Sequence, residues 1–432
     1  MGSDPNWQRT GCAALTRSSH FILCERNPLP ALRVRTVKDP ALTTKVPLLD
    51  LKGQYAPLRA EIEQAIREVC DSQRFVLGPR VADLEKRIAA YSQATHGIGM
   101  SSGTDALLVA LMALDVGPGD EVVTTPFTFF ATAGVVARLG ARPLFCDIDP
   151  LTFNLSPEAV AATLATQCEQ VGDRLVNRRT GGVVKALIPV HLYGQMADMD
   201  ALMAIARRHR LAVVEDAAQA IGAALADGRC AGSIGDIGCL SFFPTKNLGA
   251  FGDAGMCVTN DAKLAAKLMK LRVHGMEPKY YHELIGGNFR LDEIQAAVLN
   301  VKLPHLDSWS QARQRNAAFY DAAFKRAPLS GRVMTPPPAP PGARHIYNQY
   351  CVRVERRDEL RGWLTEHGVG AEIYYPLPLH MQQCFAYLGH KPQDFPESLR
   401  ASQETLALPI YPELSESQLQ YVVDTIAGLF RK

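Results

Sequence analysis

One lysine, Lys246, has neighbours that suit a reactive amine. It follows the apolar run 238–243, which predicts a buried strand ending at Pro244, and glycines stand at positions 249, 252 and 255 just beyond it. A free lysine titrates near ~10.4, so a lysine that acts as a nucleophile at neutral pH needs an enclosed site that lowers its pKa. Because most lysines in loops are solvated surface charges, the interpretation depends on the other residues that the fold brings to this one.

A second segment could bind a phosphate group. Residues 101–105, Ser-Ser-Gly-Thr-Asp, lie between a predicted strand and a strongly apolar helix. The free backbone amides and the positive dipole end of a helix N-terminus attract anions, and small residues allow them to approach closely. A plain helix cap formed by Ser102 or Thr104 explains the same pattern. Ser241, ahead of the lysine, could add a hydroxyl to the same phosphate.

A carboxylate and an aromatic ring follow two other predicted strands. Asp216 ends the buried run 211–215. A carboxylate at that point either caps the strand or keeps a ring nitrogen protonated, as an electron-withdrawing cofactor requires. Phe129 follows the predicted strand 121–125 and could cover the face of a planar ring, although a phenylalanine in such a place is more often part of the core.

Together these features match the parts of one cofactor, pyridoxal phosphate. A phosphate site, a ring-covering aromatic, a buried carboxylate and a lysine occur in this order along the chain, and they provide partners for its phosphate, ring, ring nitrogen and aldehyde. No G-x-G-x-x-G opens a helix after a strand, and no G-x-x-x-x-G-K-[ST] is present. The sequence therefore predicts pyridoxal phosphate rather than a nicotinamide cofactor or a P-loop nucleotide.

The elements that position these residues alternate between strands and helices. Strands are predicted at 96–100, 121–125, 143–148, 183–190 and 211–215, and helices lie between them. This alternation predicts an α/β fold with a mainly parallel sheet and helices on both faces. Ligands bind at the carboxyl ends of the strands in such sheets, which is where the candidate residues lie.

The chain is expected to form two domains. The proline-rich segment 336–341 predicts an extended connection near a boundary, which we place between a large domain at 46–305 and a smaller C-terminal α+β domain at 306–432. Residues 1–45 are rich in arginine, serine and proline without a sustained periodicity. We expect a disordered N-terminal extension there, with a transit peptide as the alternative.

Composition excludes several classes of protein. A net charge of +2 over 432 residues gives no reason to expect a nucleic-acid partner. The ten cysteines form no C-x-x-C pair and no group with histidines at metal-ligand spacing, so we predict reduced thiols, a cytoplasmic protein and no metal site. No apolar run approaches the ~20 residues of a membrane span.

Six motifs resemble those of the DegT/DnrJ/EryC1/StrS family of sugar aminotransferases. They are 102–107, 128–132, 189–194, 215–219, 241–248 and 287–293. The resemblance extends over about 46–430 and leaves the N-terminal segment outside. It implies pyridoxal phosphate as cofactor and the fold type I of aspartate aminotransferase, with a sheet of the seven-stranded type.

The resemblance also implies roles for individual residues. Lys246 would form the internal aldimine and move a proton between substrate and cofactor, Asp216 would pair with the pyridine nitrogen, and Gln219 would bind the ring hydroxyl. Phe129 would stack on the ring. The phosphate would be held by Ser102, Gly103, Thr104 and Ser241.

Other implied roles concern the partner subunit and the substrate. Asn288 would reach the phosphate in a neighbouring subunit, so a homodimer with the active site at its interface is the expected minimum assembly. Five residues in or near matching motifs could contact the substrate, although packing explains each of them equally well. They are His191, Tyr193, Arg290, Tyr374 and His380.

The predicted function is amino transfer in two half-reactions. Glutamate, or alternatively glutamine, would leave its amino group on the cofactor, and a nucleotide-activated keto-sugar would receive it. Relatives that have become dehydratases carry histidine at the position of Lys246, so the lysine favours amino transfer. The alternatives are an aminotransferase or lyase that acts on another substrate, such as an inosose or an amino acid, and a non-catalytic regulator that keeps the fold.

Overall fold

The computed structural model describes residues 45–326 and 328–431. The predicted disordered extension, apart from Lys45, lies outside the described residues.

A nine-stranded sheet forms the centre of the larger part of the chain. Its strands are β1 (His96–Met100), β2 (Asp120–Thr124), β3 (Arg142–Phe145), β4 (Cys168–Val171), β5 (Arg174–Asn177), β6 (Val183–Leu187), β7 (Ala212–Asp216), β8 (Ile237–Ser241) and β9 (Gly255–Thr259). Seven of them follow the order β1-β9-β8-β7-β6-β2-β3. The other two, β4 and β5, pair with each other, and β5 also pairs with β6. Along this path β9 runs antiparallel to both of its neighbours, and the other pairs are parallel. The predicted, mainly parallel α/β sheet is confirmed.

Helices cover both faces of this sheet. They are α1 (Leu51–Tyr55), α2 (Arg59–Ser72), α3 (Pro79–Tyr91), α4 (Gly103–Ala113), α5 (Ala131–Arg138), α6 (Pro157–Gln167), α7 (Met199–His209), α8 (Ala262–Leu271) and α9 (Glu293–Lys302). Consecutive strand residues point to opposite faces. Val214 accordingly packs with α4, α5 and α8, and Val213 packs with α6 and α7. The helix α4 is apolar around most of its circumference because it is buried against the sheet.

The C-terminal part has a second, smaller sheet. Its elements are α10 (Leu306–Phe324), β10 (Tyr350–Arg353), α11 (Arg357–Glu366), α12 (Pro396–Glu404), β11 (Thr405–Leu408) and α13 (Glu416–Arg431). The strands β10 and β11 pair antiparallel and share a core with α10, α11 and α13. Val46 belongs to this core, since its backbone bonds to Gly368 and Gly370. The division into domains at 305 and 306 remains a prediction.

Local differences from the predicted elements have local causes. The strand predicted at 121–125 is β2 (Asp120–Thr124), and the loop 126–130 separates it from α5, which begins at Ala131. The hairpin β4–β5 escaped prediction because its first strand exposes three of its four residues and so lacks an apolar run. Among the described residues, no helix is both long and apolar enough to cross a membrane.

Candidate active site

A cavity of about 760 Å³ lies at the carboxyl ends of β1, β2, β6, β7 and β8, where ligands bind in parallel sheets. Nine of the residues predicted from the sequence line it. They are Ser102, Gly103, Thr104, Phe129, Asp216, Gln219, Ser241, Lys246 and Tyr374. The fold therefore brings together residues that are up to 272 positions apart in the chain, from 102 to 374.

The N-terminus of α4 provides an opening for an anion. The Ser102 hydroxyl accepts a hydrogen bond from the Asp105 amide (3.0 Å), so the helix-cap interpretation is right for this side chain. The amides of Gly103 and Thr104 lie in the first turn and have no acceptor within the helix. A Cβ atom at Gly103 would stand 2.6 Å from the Cβ of Ser241, so only glycine permits this close approach. The two amides and the Ser241 hydroxyl fit a phosphate group.

Asp216 is buried at the end of β7. Its carboxylate accepts hydrogen bonds from the Thr132 hydroxyl (2.7 Å) and the Ala218 amide (3.2 Å). Burial raises the pKa of Asp216, and these hydrogen bonds and the positive charge of Lys246 oppose that rise. A cation placed beside the carboxylate would favour its ionised form. A protonated ring nitrogen is such a cation, so Asp216 fits the predicted contact.

Lys246 lies in a turn closed by a hydrogen bond from its own amide to the Phe243 carbonyl (2.8 Å). Burial lowers the pKa of Lys246 to about 8, although the negative charge of Asp216 opposes the change. A much larger fraction of this amine is unprotonated at neutral pH than of an ordinary lysine. The amine is therefore suited to condense with an aldehyde.

Gln219 holds a fixed orientation at the floor of the cavity. Its Oε1 accepts the Tyr193 amide (2.7 Å), and its Nε2 donates to the Tyr375 hydroxyl (3.1 Å). Because a backbone N–H can only donate, the oxygen and nitrogen of the carboxamide cannot be exchanged. Within the described part of the chain, the second N–H of Gln219 has no partner, which leaves a donor for a ring hydroxyl.

Two of the predicted substrate residues support the cavity rather than line it. His191 is fully buried: its Nε2 bonds to Glu215 (2.8 Å), and its Nδ1 accepts the Ala197 amide (3.1 Å). The Tyr193 hydroxyl donates to the Tyr374 carbonyl. Both side chains are occupied by protein groups, so they orient the chain around the site.

Three further predicted residues also lie outside the cavity. His380 is buried against Phe395, and its Nε2 bonds to the Pro392 carbonyl (3.3 Å). Asn288 and Arg290 lie in the segment before α9, where the Arg290 Nε donates to the Asn288 side chain (2.7 Å). Asn288 is exposed, and it does not reach the cavity of its own chain.

Several residues at the cavity were not predicted from the sequence. Thr132 donates to Asp216, and Tyr375 accepts from Gln219. Thr132 lies in the motif 128–132, and Tyr375 directly follows Tyr374, one of the predicted substrate residues. Polar lining residues without such a signal are Gln349, Glu372 and Gln382. Across 45–326 and 328–431, no three His, Cys, Asp or Glu side chains converge as a metal site requires.

Comparison with known proteins decides the family. The model of the DegT/DnrJ/EryC1/StrS aminotransferase family matches residues 57–427. The chain belongs to this family. The resemblance predicted from six motifs is thereby confirmed, and so is the prediction of an enzyme that transfers amino groups with pyridoxal phosphate.

Similar proteins cover nearly the whole described chain. A pleiotropic regulatory protein of Geobacillus stearothermophilus is 52% identical over 386 residues, which are 89% of this chain and 99% of the relative. The UDP-N-acetyl-3-dehydro-alpha-D-glucosamine 3-aminotransferase of Acidithiobacillus ferrooxidans is 42% identical over 89% of this chain and 97% of its own. The crystal structure of S. venezuelae DesV, in complex with a ketimine intermediate, matches with a TM-score of 0.83, 40% identity, and coverage of 90% and 100%.

The cavity of this aminotransferase has a partner for each part of the family's cofactor. The N-terminus of α4 and Ser241 would hold the phosphate, Asp216 the ring nitrogen and Gln219 the ring hydroxyl, while Lys246 would meet the aldehyde. Phe129 lines the cavity with 57% of its surface exposed, so its ring has a face free for stacking. When bound, pyridoxal phosphate supplies the electron-withdrawing ring that makes amino transfer feasible.

Proposed function

We propose that this enzyme transfers an amino group from glutamate, or alternatively glutamine, to a nucleotide-activated keto-sugar. The observation that carries the proposal is a partly buried lysine whose pKa is lowered, in one cavity with a phosphate site and a buried carboxylate. The relative from A. ferrooxidans acts, by its name, on a UDP-linked keto-sugar. This similarity supports a substrate of the same kind.

The two half-reactions would use the same residues in turn. In the unprotonated state, Lys246 would hold the cofactor as an internal aldimine and, once displaced by the amino donor, would move the proton between substrate and cofactor. Asp216 would keep the ring nitrogen protonated. The same lysine would then serve the amination of the keto-sugar, which gives a ping-pong sequence.

Polar residues of the cavity support a polyhydroxylated acceptor. Gln349, Glu372, Tyr374 and Gln382 line it in addition to the residues that fit the cofactor. Amide and carboxylate side chains both accept hydrogen bonds from sugar hydroxyls, and amides also donate to them. The volume of about 760 Å³ is within the range of pockets that enclose a small organic ligand.

A homodimer with shared active sites is part of the proposal. Asn288 is exposed, and the backbone of its segment bonds to the phosphate-site loop, where the Ser101 amide donates to the Phe289 carbonyl (2.9 Å). Large apolar side chains are exposed on the same chain, as expected of a surface that a second copy covers. They include Phe75, Val76, Phe243, Phe251 and Ile285.

The protein is proposed to work in the cytoplasm. The eight cysteines in the described residues are all free thiols, and six of them are buried. Burial raises the pKa of Cys146 to about 12, so this thiol has little thiolate available for oxidation. Such residues suit a reducing compartment.

Each of the two alternative functions is distinguished from sugar amino transfer by a different observation. An aminotransferase or lyase acting on an inosose or an amino acid would share the cofactor residues, so only the accepted substrate separates it from a sugar aminotransferase. A non-catalytic regulator has no need of a lysine with a lowered pKa. The retained Lys246, Asp216 and Ser241 therefore disfavour that reading, although one similar protein is named a regulator.

The test is the near-ultraviolet and visible absorbance spectrum before and after addition of glutamate. We expect a yellow aldimine band that glutamate converts to the pyridoxamine form, and we expect Lys246→Ala to show neither the band nor turnover. The exposed Lys263 is the matched control, so Lys263→Ala should behave as wild type. A wild-type protein that stays colourless with pyridoxal phosphate would contradict the proposal.

A further inference from the structure

A second buried lysine contacts the turn that carries Lys246. Lys302, the last residue of α9, is 4% exposed, and its ammonium donates to the Gly249 carbonyl (2.6 Å). Its Nζ also stands 5.7 Å from the centre of the Phe251 ring. Burial lowers the pKa of Lys302 to about 8, and the negative charge of Glu413 opposes that change. A buried amine is costly unless it is hydrogen-bonded, so the carbonyl of Gly249, its one acceptor among the described residues, is important for its stability.

The carbonyl that Lys302 binds belongs to a turn folded tightly on itself. A Cβ at Gly249 would collide with the Pro244 carbonyl, so these two residues are in contact across the turn. The Ala250 amide donates to the Phe242 carbonyl (2.8 Å), and the Lys246 amide donates to Phe243. A shift of Gly249 would therefore displace Pro244, which stands two residues before Lys246.

Two other hydrogen bonds join the same turn to the rest of the protein. The Asn247 Nδ2 donates to the Ile346 carbonyl (3.0 Å), and the Phe251 amide donates to Gln295 Oε1 (2.8 Å). Gly249, which accepts the hydrogen bond from the Lys302 ammonium, lies between these two residues of the turn. Without Lys302, the Gly249 carbonyl would be buried with no donor, at a cost that favours displacement of the turn.

We propose that Lys302 is a positioning residue for Lys246. It acts through the Gly249 carbonyl, and it keeps the amine of Lys246 in place for attack on the aldehyde of the cofactor. The proposal rests on the proposed function, because it assumes that Lys246 forms an imine. A displacement of about 1 Å is enough to slow a positioned reaction by up to ~10²-fold.

Arg313 offers a matched control in the same cluster of charges. It is also buried, and it also lies near Glu413. Its guanidinium, however, donates to the carbonyls of Tyr347, Asn348 and Ile410, and not to the turn of Lys246. Loss of either cation leaves buried partners without a donor, so both losses should lower thermal stability.

The experiment compares wild type, Lys302→Met and Arg313→Met after the cofactor has been removed by dialysis against hydroxylamine. Pyridoxal phosphate is added back, and the rate at which the yellow imine band appears is measured. The melting temperature of each protein is measured as well. We expect imine formation to slow at least about tenfold in Lys302→Met and to stay within about twofold of wild type in Arg313→Met. Both variants should melt at lower temperature than wild type.

A second variant serves if Lys302→Met does not fold. In Lys302→Gln the nitrogen is one bond closer to the backbone, so the site stays polar but the direct bond to Gly249 is lost. Imine formation should again be slower than in wild type, by at least about threefold. Wild-type rates in Lys302→Gln, or equal slowing in Lys302→Met and Arg313→Met, would overturn the positioning role. Absence of an imine in wild type would instead overturn the proposed function.

Discussion

We expect the pKa of Lys246 to determine the pH at which the enzyme takes up its cofactor. Because burial lowers this pKa to about 8, the rate of imine formation with added pyridoxal phosphate should rise with pH through a midpoint near that value, well below the ~10.4 of a free lysine. The measurement is the rate of the imine band in cofactor-free protein from neutral to alkaline pH.

The same experiment on Asp216→Asn tests the cause of that midpoint. The negative charge of Asp216 raises the pKa of Lys246, so its removal should move the midpoint to lower pH. A midpoint that stays unchanged in the variant would show that the two side chains do not interact.

At the scale of residues, the sequence predicted which side chains line the cavity where the residue type and its place at a strand end both indicated the site. Asp216 is the last residue of β7 and Lys246 follows β8, and both side chains line the cavity. His191 also follows a strand, yet its ring turns into the core and bonds to Glu215. A position at a strand end does not specify the direction of the side chain, because that depends on partners far away in sequence.

The N-terminus of α4 is the element that we propose binds the phosphate, and its close contact with β8 can be tested. Gly103→Ala would place a Cβ 2.6 Å from that of Ser241 and push the two elements apart. We expect the affinity for pyridoxal phosphate to fall at least about tenfold, which is ~1.4 kcal/mol, although alanine is the better helix former. Titration of the cofactor-free protein measures this affinity.

Gly117 is the control for that substitution. A Cβ at Gly117 would have no atom within 4 Å, so Gly117→Ala should bind the cofactor as wild type does. Equal affinities for the two variants would mean that the approach of α4 to β8 does not shape the phosphate site.

At the scale of elements, the apolar pattern of the sequence predicted the bounds of some strands but not of others. The bounds of β1 (His96–Met100) agree with the predicted ones, and those of β7 (Ala212–Asp216) differ by one residue. The strand predicted to end at residue 148 stops at Phe145. The Asp147 carboxylate instead accepts the amides of Glu397 and Ser398 at the start of α12, a contact across 250 residues that no local pattern encodes.

The proposed shared active site makes a prediction for the whole molecule. Asn288→Asp would place a negative charge beside the partner's phosphate, so this variant and Lys246→Ala should each be inactive alone. A heterodimer of the two, isolated by different affinity tags, contains one site with both native residues. It should show about half of the wild-type activity per dimer. An inactive heterodimer would contradict the exchange of Asn288 between subunits.

The buried pair of Glu215 and His191 is expected to determine the pH below which the folded protein loses stability. Glu215 is completely buried and accepts the amides of Gly232 (2.9 Å), Ile234 (2.7 Å) and Gly235 (2.6 Å). Burial raises its pKa, but the hydrogen bonds from His191 and these amides outweigh burial and hold the pKa below its ordinary value. The stabilisation is therefore present above the unfolded pKa of ~4.3 and is lost as the pH falls through the lower folded value.

Acid should consequently destabilise this enzyme by protonating a carboxylate in its core. Glu215 directly precedes Asp216 on β7, so protonation of its carboxylate would loosen the strand that places Asp216 at the cavity. Calorimetry from neutral pH downward should show the melting temperature falling most steeply below about pH 4, with a shallower fall in Glu215→Gln. Identical slopes in the two proteins would assign the loss of stability in acid to other carboxylates.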